Sequence, residues 1–319
     1  MYRILSGAVL AALCWSFVSP ANAWPDRAVR LILPVPAGSA ADFTARLFAE
    51  RLSRRWAQPV VVENRPGADG IIGVASFVNS HHDHTLLFAI SAVATVHAVQ
   101  NEKLTYDPVQ DLVPVAPVSE IVVAIAASRN SGVQSLEDLI RTARAAPGKL
   151  NWASSPGLPP LIFGGFIKGL KLEMASIFYR DLPPAIQDLT EGRLDIFVHA
   201  LSVLMPQAQA GRVRLLAVAS RQRAPAMPDV PTVAELGFPE LAMEGLCGFF
   251  GSRGMAAAIR ERVAADVMAI AKEPDVEERL AVIGQMVRPG TQAEFAAFLA
   301  DSRKRLRVVA ATAATAVPK

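Results

Sequence analysis

Short apolar runs alternate with amphipathic stretches along most of this 319-residue chain, and that rhythm constrains the fold more than any other feature. Residues 29–34 read as a strand and 35–40 as a loop, after which Ala41, Ala45, Phe48, Leu52 and Trp56 share one helix face. Residues 60–62 read as a second strand, 64–70 as a turn, 71–79 as a short apolar helix and 85–89 as a third strand. Residues 121–127 form a β-branched strand, and Ser135-Leu136-Glu137-Asp138 has the capping-box spacing that opens a helix. Further strand edges fall at 152–154, 196–198 and 215–219. Proline-rich stretches at 225–231 and 238–239 break the rhythm, and from about Ala256 the tail reads as helix, interrupted at Pro274 and reopened at Thr291. Such alternation predicts an α/β fold with parallel sheets covered on both faces. The length favours two domains, with the first crossing near Ala126 and the return near Gly245. The expected division is 1–23 as a leader, 24–126 with 246–319 as the first domain, and 127–245 as the second.

The leader is read from a basic start at Met1-Tyr2-Arg3, an apolar run over 4–18 and an exit at Ala21-Asn22-Ala23. The run is short for a bilayer span, and the bulky Leu13 before Cys14 does not suit a lipoprotein signal. A secreted chain in the periplasm is therefore expected. Removing the leader takes Arg3 away, so the net charge of +3 falls by one, and Cys247 remains as the lone cysteine. A lone cysteine excludes an internal disulfide framework, so stability must come from buried cores. Near-balanced charge excludes nucleic acid as a partner. The one dense basic run, Arg303-Lys304-Arg305-Leu306-Arg307, reads as the solvated end of a helix.

The loops after the first two strands each lead into a helix, the place where open α/β sheets bind ligands. Gly38 frees the first backbone, and Gly67, Gly70 and Gly73 free the second. Two helix N-termini facing one cleft would hold a carboxylate without an arginine. Taken as residues alone, the loops fit equally an anion site or two tight turns.

Several segments resemble one family, the Bug/TctC receptors of tripartite tricarboxylate transporters. Trp24-Pro25-Asp26-Arg27-Ala28-Val29-Arg30 is similar to their mature start, and Pro34-Val35-Pro36-Ala37-Gly38-Ser39-Ala40-Ala41-Asp42 to their first loop. The most specific likeness is Val61-Val62-Glu63-Asn64-Arg65-Pro66-Gly67-Ala68-Asp69-Gly70-Ile71-Ile72-Gly73. Leu104-Thr105-Tyr106-Asp107-Pro108, Pro147-Gly148-Lys149-Leu150-Asn151-Trp152-Ala153-Ser154 and Pro228-Asp229-Val230-Pro231-Thr232-Val233-Ala234-Glu235 also fit, in order along the chain. The resemblance implies a two-domain periplasmic binding protein of the type II-like, Venus-flytrap kind, with a hinge between two parallel-sheet-rich domains. It implies a monomer that holds a small organic acid and hands it to transient membrane transporter subunits, or to a sensor kinase. Di- and tricarboxylates, acidic amino acids and aromatic acids all qualify.

The binding residues so implied are Ala37, Gly38, Ser39, Asp42, Ala68, Asp69, Gly70 and Gly73, with Ser91, Ala92 and Thr95 after the third strand. From the second domain come Ser154, Ser155, Gly157, Tyr179 and His199. A carboxylate at Asp42 would repel a bound acid, so its expected role is to accept N–H bonds in the first turn of its helix. The chain departs from the family at Ser39, at Arg180-Asp181, at His199 and at Leu246. His199 fits either a switchable cation or a hydrogen-bonded wall residue.

Enzyme chemistry is weakly signalled. His81-His82-Asp83-His84 lacks the spacing of a zinc site and falls on an expected surface turn. No Gly-x-Ser-x-Gly elbow follows a strand, and Cys247 lies in an apolar run without a neighbouring histidine. The three-glycine loop lacks dinucleotide spacing. No cofactor or metal is expected; the remaining alternative to a receptor is a periplasmic enzyme using His199 with Asp195 or Asp181.

Overall fold

A computed structural model describes residues 24–80, 82–100 and 104–315; the expected leader and His81 lie outside them. The chain opens with β1 (Val29–Leu33), α1 (Ala40–Trp56), β2 (Val60–Asn64), α2 (Ile71–Val78) and β3 (Thr85–Ile90), whose strands run parallel. Two helical turns, α3 (Ala92–Thr95) and α4 (His97–Gln100), lead to β4 (Leu112–Ile121). A second unit follows: β5 (Val123–Ser128), α5 (Leu136–Ala145), β6 (Asn151–Ser154), α6 (Leu158–Gly169), β7 (Ala175–Ser176), α7 (Leu182–Glu191), β8 (Ile196–Ala200), α8 (Leu201–Gln209) and β9 (Val213–Val218). The chain then returns through β10 (Gly245–Ser252), α9 (Ala257–Ala271), α10 (Pro274–Val282), β11 (Gln285–Val287) and α11 (Gln292–Thr315).

The first sheet has the order β11-β4-β10-β3-β1-β2 and the second β7-β6-β8-β5-β9. Both are mixed: β10 and β11 are reversed in the first and β5 in the second, while the other strands of each sheet share one direction, in keeping with the expected parallel-rich clamp. Only β2-β1-β3 and β7-β6-β8 pair in parallel; β4, β10, β11, β5 and β9 run against their neighbours. A parallel neighbour needs a crossover, usually a helix, and β5 and β10, by which the chain enters each sheet from the other, arrive without an α-helix before them.

Local chemistry sets the helix starts. Ser39 Oγ accepts the Asp42 N–H at the head of α1, and Ser135 Oγ accepts the Asp138 N–H at 3.1 Å. At α11 the box is reciprocal: Thr291 Oγ1 accepts the Glu294 N–H while Glu294 Oε2 accepts the Thr291 N–H at 2.7 Å.

Each sheet buries both faces. Leu31, Phe48, Phe249 and Val267 pack on one face of the first sheet, and Ile32, Phe77, Phe250 and Phe295 on the other. Phe88 and Phe249 meet edge to face at 5.1 Å, worth about 1 kcal/mol beyond the area they bury. In the second sheet Trp152, Phe163 and Ile196 fill one face and Phe197, Leu189 and Leu204 the other.

The chain leaves the first sheet after Ile121 and enters the second at Val123, so the expected crossing at Ala126 falls inside β5, where it pairs with Phe197 and Leu215. The apolar run 121–127 is divided at Val122, whose carbonyl accepts the Leu201 N–H at 2.7 Å. The return segment lies alongside, because the Ala219 N–H donates to Val123 O and the Met243 N–H to Ala219 O. A third connection is α11. It starts in the first core with Phe295 and Leu299, and Val309 packs on the second core. The basic run sits within this helix and not at a solvated end: Arg303 donates to Ala94 O at 3.1 Å and Arg305 to Ala242 O at 2.6 Å. Among the described residues no helix is long and apolar enough to cross a membrane.

Candidate functional site

Strand direction decides where the loops meet. Antiparallel β10 starts beside the C-terminal end of β3, and the Leu246 N–H donates to Ser91 Oγ at 3.2 Å. Val123, the first residue of β5, pairs with Ala200, the last of β8. The crossings therefore join the C-terminal ends of the two parallel strand sets, so the loops that follow those ends lie on the side of each sheet that carries the crossings.

Ala37 and Gly38 are exposed on the first loop, and Gly38 turns at φ +81° with open space in front of it. Its N–H donates to Asp42 Oδ2 at 2.9 Å. Asp42 is buried; Oδ1 also accepts Asn64 Nδ2–H at 2.9 Å, and Arg46 lies 3.1 Å away. Burial would raise the Asp42 pKa, but Arg46, the Gly38 N–H and Asn64 together hold it below the usual carboxylate range. The carboxylate thus fastens loop, helix and β2. The Ala40 and Ala41 N–H groups, at the start of α1, have no partner among the described residues.

On the second loop Ala68 and Asp69 are exposed and left-handed, at φ +46° and +53°. Gly70 and Gly73 are buried, and their freedom serves packing. A methyl on Gly73 would stand 2.5 Å from Arg65 O and 2.8 Å from Pro34 Cα, so only glycine lets α2 close on the end of β1. Ser91 and Thr95 are also buried and turned inward, Thr95 donating to Ser91 O at 2.9 Å; Ala92 is half-buried.

In the second unit, Ser154 and Ser155 are half-buried with hydroxyls free of other described residues, and Gly157 turns at φ +96° into open space. His199 Nδ1 accepts the Ala200 N–H at 2.8 Å, which puts the neutral ring's proton on Nε2. Burial pushes its pKa down to about 4, so the ring is uncharged at neutral pH. Both features fit the hydrogen-bonded wall residue better than the switchable cation. The Tyr179 hydroxyl is committed to Asp188 Oδ2 at 2.7 Å, whereas the adjacent Phe178 is 89 % exposed just beyond β7.

Sequence reasoning also missed a charge cluster at the crossings, formed by Glu120, Glu244, Arg221 and Arg288. The lone glutamate in an apolar strand was its one local signal. A cavity of about 400 Å³ opens beside it, under α11. Elsewhere, His84 lies between Asp83 and Asp26 at 2.8 and 2.9 Å, and no group of three metal-binding side chains occurs among the described residues. Cys247 is buried, which pushes its thiol up to about 12.

A family model described as "Tripartite tricarboxylate transporter family receptor" matches residues 44–313. A UPF0065 protein of Bordetella bronchiseptica is 31% identical over 294 residues, covering 92% of this chain and 88% of that protein. Among solved structures, Rhodopseudomonas palustris Rpa4515 with adipate superposes with a TM-score of 0.80 at 27% identity, covering 91% of this chain and 98% of the other. MatC (Rpa3494) from the same organism, with bound malate, gives 0.76 at 26% identity, covering 90% and 99%.

Proposed function

This chain belongs to the tripartite tricarboxylate transporter receptor family of periplasmic solute-binding proteins, and from that premise we propose that it captures a small dicarboxylate between its domains for delivery to membrane transporter subunits. The observation that carries the reading is the pair of open glycine turns, Gly38 and Gly157, set at helix starts, one in each unit. One carboxylate rests on the backbone of Ala37 to Ser39 and on the unpartnered Ala40 and Ala41 amides, with Ala68 and Asp69 beside it. The Asp42 charge is already met by Arg46, the Gly38 N–H and Asn64, so its repulsion of a bound acid is blunted. The second carboxylate takes hydrogen bonds from Ser154, Ser155 and the Nε2–H of neutral His199, and Phe178 at the rim covers the carbon chain. The buried pair Ser91 and Thr95 and the tied Tyr179 support these contacts from behind.

Adipate and malate, the ligands of the two superposed structures, are both dicarboxylates, which supports that class. The domains divide at Val122 and within 219–244, and closure about these segments encloses the solute. The test is calorimetric titration and thermal shift of the chain from Trp24 onward with malate, adipate and a panel of monocarboxylates. A dicarboxylate must raise the unfolding midpoint by mass action, through a stabilisation of about 2.7 kcal/mol at a hundredfold excess over Kd. Binding by monocarboxylates alone, or by no acid at all, overturns the proposal.

A further inference from the structure

The four charged residues at the crossings come from four separate segments. Glu120, near the end of β4, is 0 % exposed, and neither carboxylate oxygen accepts a hydrogen bond from a described residue. Its nearest cation is Arg288, just past β11, at 3.5 Å. Arg288 also lies 3.8 Å from Glu244, which precedes β10. Glu244 is held in turn by Arg221, just past β9, at 2.6 Å. Arg221 leaves the second sheet and Glu244 enters the first, so their pair spans the crossing.

A buried carboxylate without hydrogen-bond donors is poorly stabilised in its ionised form. Burial pushes Glu120 up to about 7; Arg288 and, more weakly, Arg221 pull it down, while Glu244 pushes it further up. From α11, Asp301 and Arg305 border the same cavity, and Arg303 is turned away to Ala94 O. Arg221, Glu244 and Arg288 line that cavity, which is roomy enough for water. Its remaining walls come from both domains, with Thr95 and Phe298 on one side and Leu158 and Ile162 on the other. Bringing those walls together expels water from beside the cluster, which penalises the ionised carboxylate.

We propose that Glu120 couples the clamp to protons: its neutral carboxyl favours the closed state and its carboxylate the open one, with Arg288 passing from Glu120 to Glu244 as the proton binds. A group that holds its proton more tightly in the closed state must, by linkage, favour closure as the pH falls. The inference rests on the two-domain clamp of the proposed function but not on the identity of its solute, so it is tested without one.

The experiment is small-angle scattering of the ligand-free protein at about pH 6 and about pH 8.5, either side of the Glu120 titration. The radius of gyration should fall on acidification, with the closed-to-open ratio rising by at least about fivefold, the lower end of ordinary coupling. Glu120→Gln, permanently neutral, should be compact at both values. An unchanging wild-type radius, or a pH response that survives Glu120→Gln, overturns the proposal. If that variant does not fold, infrared difference spectra of the wild type decide. A buried carboxylic-acid band growing with the compaction supports the coupling, and compaction without that band refutes it. A failure here leaves the dicarboxylate titration untouched, and a failure there leaves the scattering result standing.

Discussion

Replacing Asp42 with alanine asks whether the first ligand loop is fastened by its own helix. The buried carboxylate accepts two hydrogen bonds at 2.9 Å, from the Gly38 N–H and from Asn64 Nδ2. Bonds to a charged acceptor are worth about 1.5 kcal/mol each at the low end of their range. The Arg46 side chain is 52 % exposed, so its pairing adds no more than about 0.5 kcal/mol. The expected loss is about 3 kcal/mol, a fall in midpoint of roughly 6–12 °C for a cooperative unit of 150–250 residues. Asp42→Asn keeps one acceptor oxygen and should lose about half as much. Because the folded pKa is lowered, the contribution is complete above the unfolded value of about 3.9 and disappears as the pH falls through the folded value. Urea denaturation of wild type and both variants at several pH values measures this. A loss under about 1 kcal/mol for alanine, or a gap that widens in acid, would refute the assignment of Asp42 as the fastener.

Gly73→Ala drives a methyl against the backbone of Arg65 and Pro34, so urea denaturation should show a loss of about 1–3 kcal/mol, and the second loop should bind its solute more weakly. His199, with its pKa pushed down to about 4, should show no titration of its ring protons between about pH 5.5 and 8 by NMR. A midpoint inside that window would restore the switchable cation.

The parallel part of the fold was legible because its strands alternate with helices at a readable period and end in glycine loops. The strands joining the domains gave no such signal. β10 is buried along nearly its whole length, so it shows no alternation, and two of its eight residues between Gly245 and Ser252 are interior glycines. β4 carries Pro114 and Pro117, which sequence rules assign to edges, yet it lies between β10 and β11. It tolerates them because β11 pairs only with residues 119–121, and the β10 register slips beside both prolines. At the site, the family likeness pointed to Tyr179, but neighbouring residues in extended chain face opposite ways. The fold turned Tyr179 onto Asp188 and left Phe178 outside. The cluster around Glu120 was illegible for another reason: its partners stand about a hundred residues or more away in the chain, at 221, 244 and 288, and no local spacing foretells them.

The last helix has a mechanical consequence. Two crossing segments bonded side by side form a ribbon that bends readily across its plane and resists being twisted. α11 packs into the first core and against the second along one flank, so the proposed closure must turn about that flank. On the proposed function, solute would then enter and leave by the opposite side. A chain cut short before Val309 would gain torsion at the hinge, with its two domains still folded but no longer brought reliably into register.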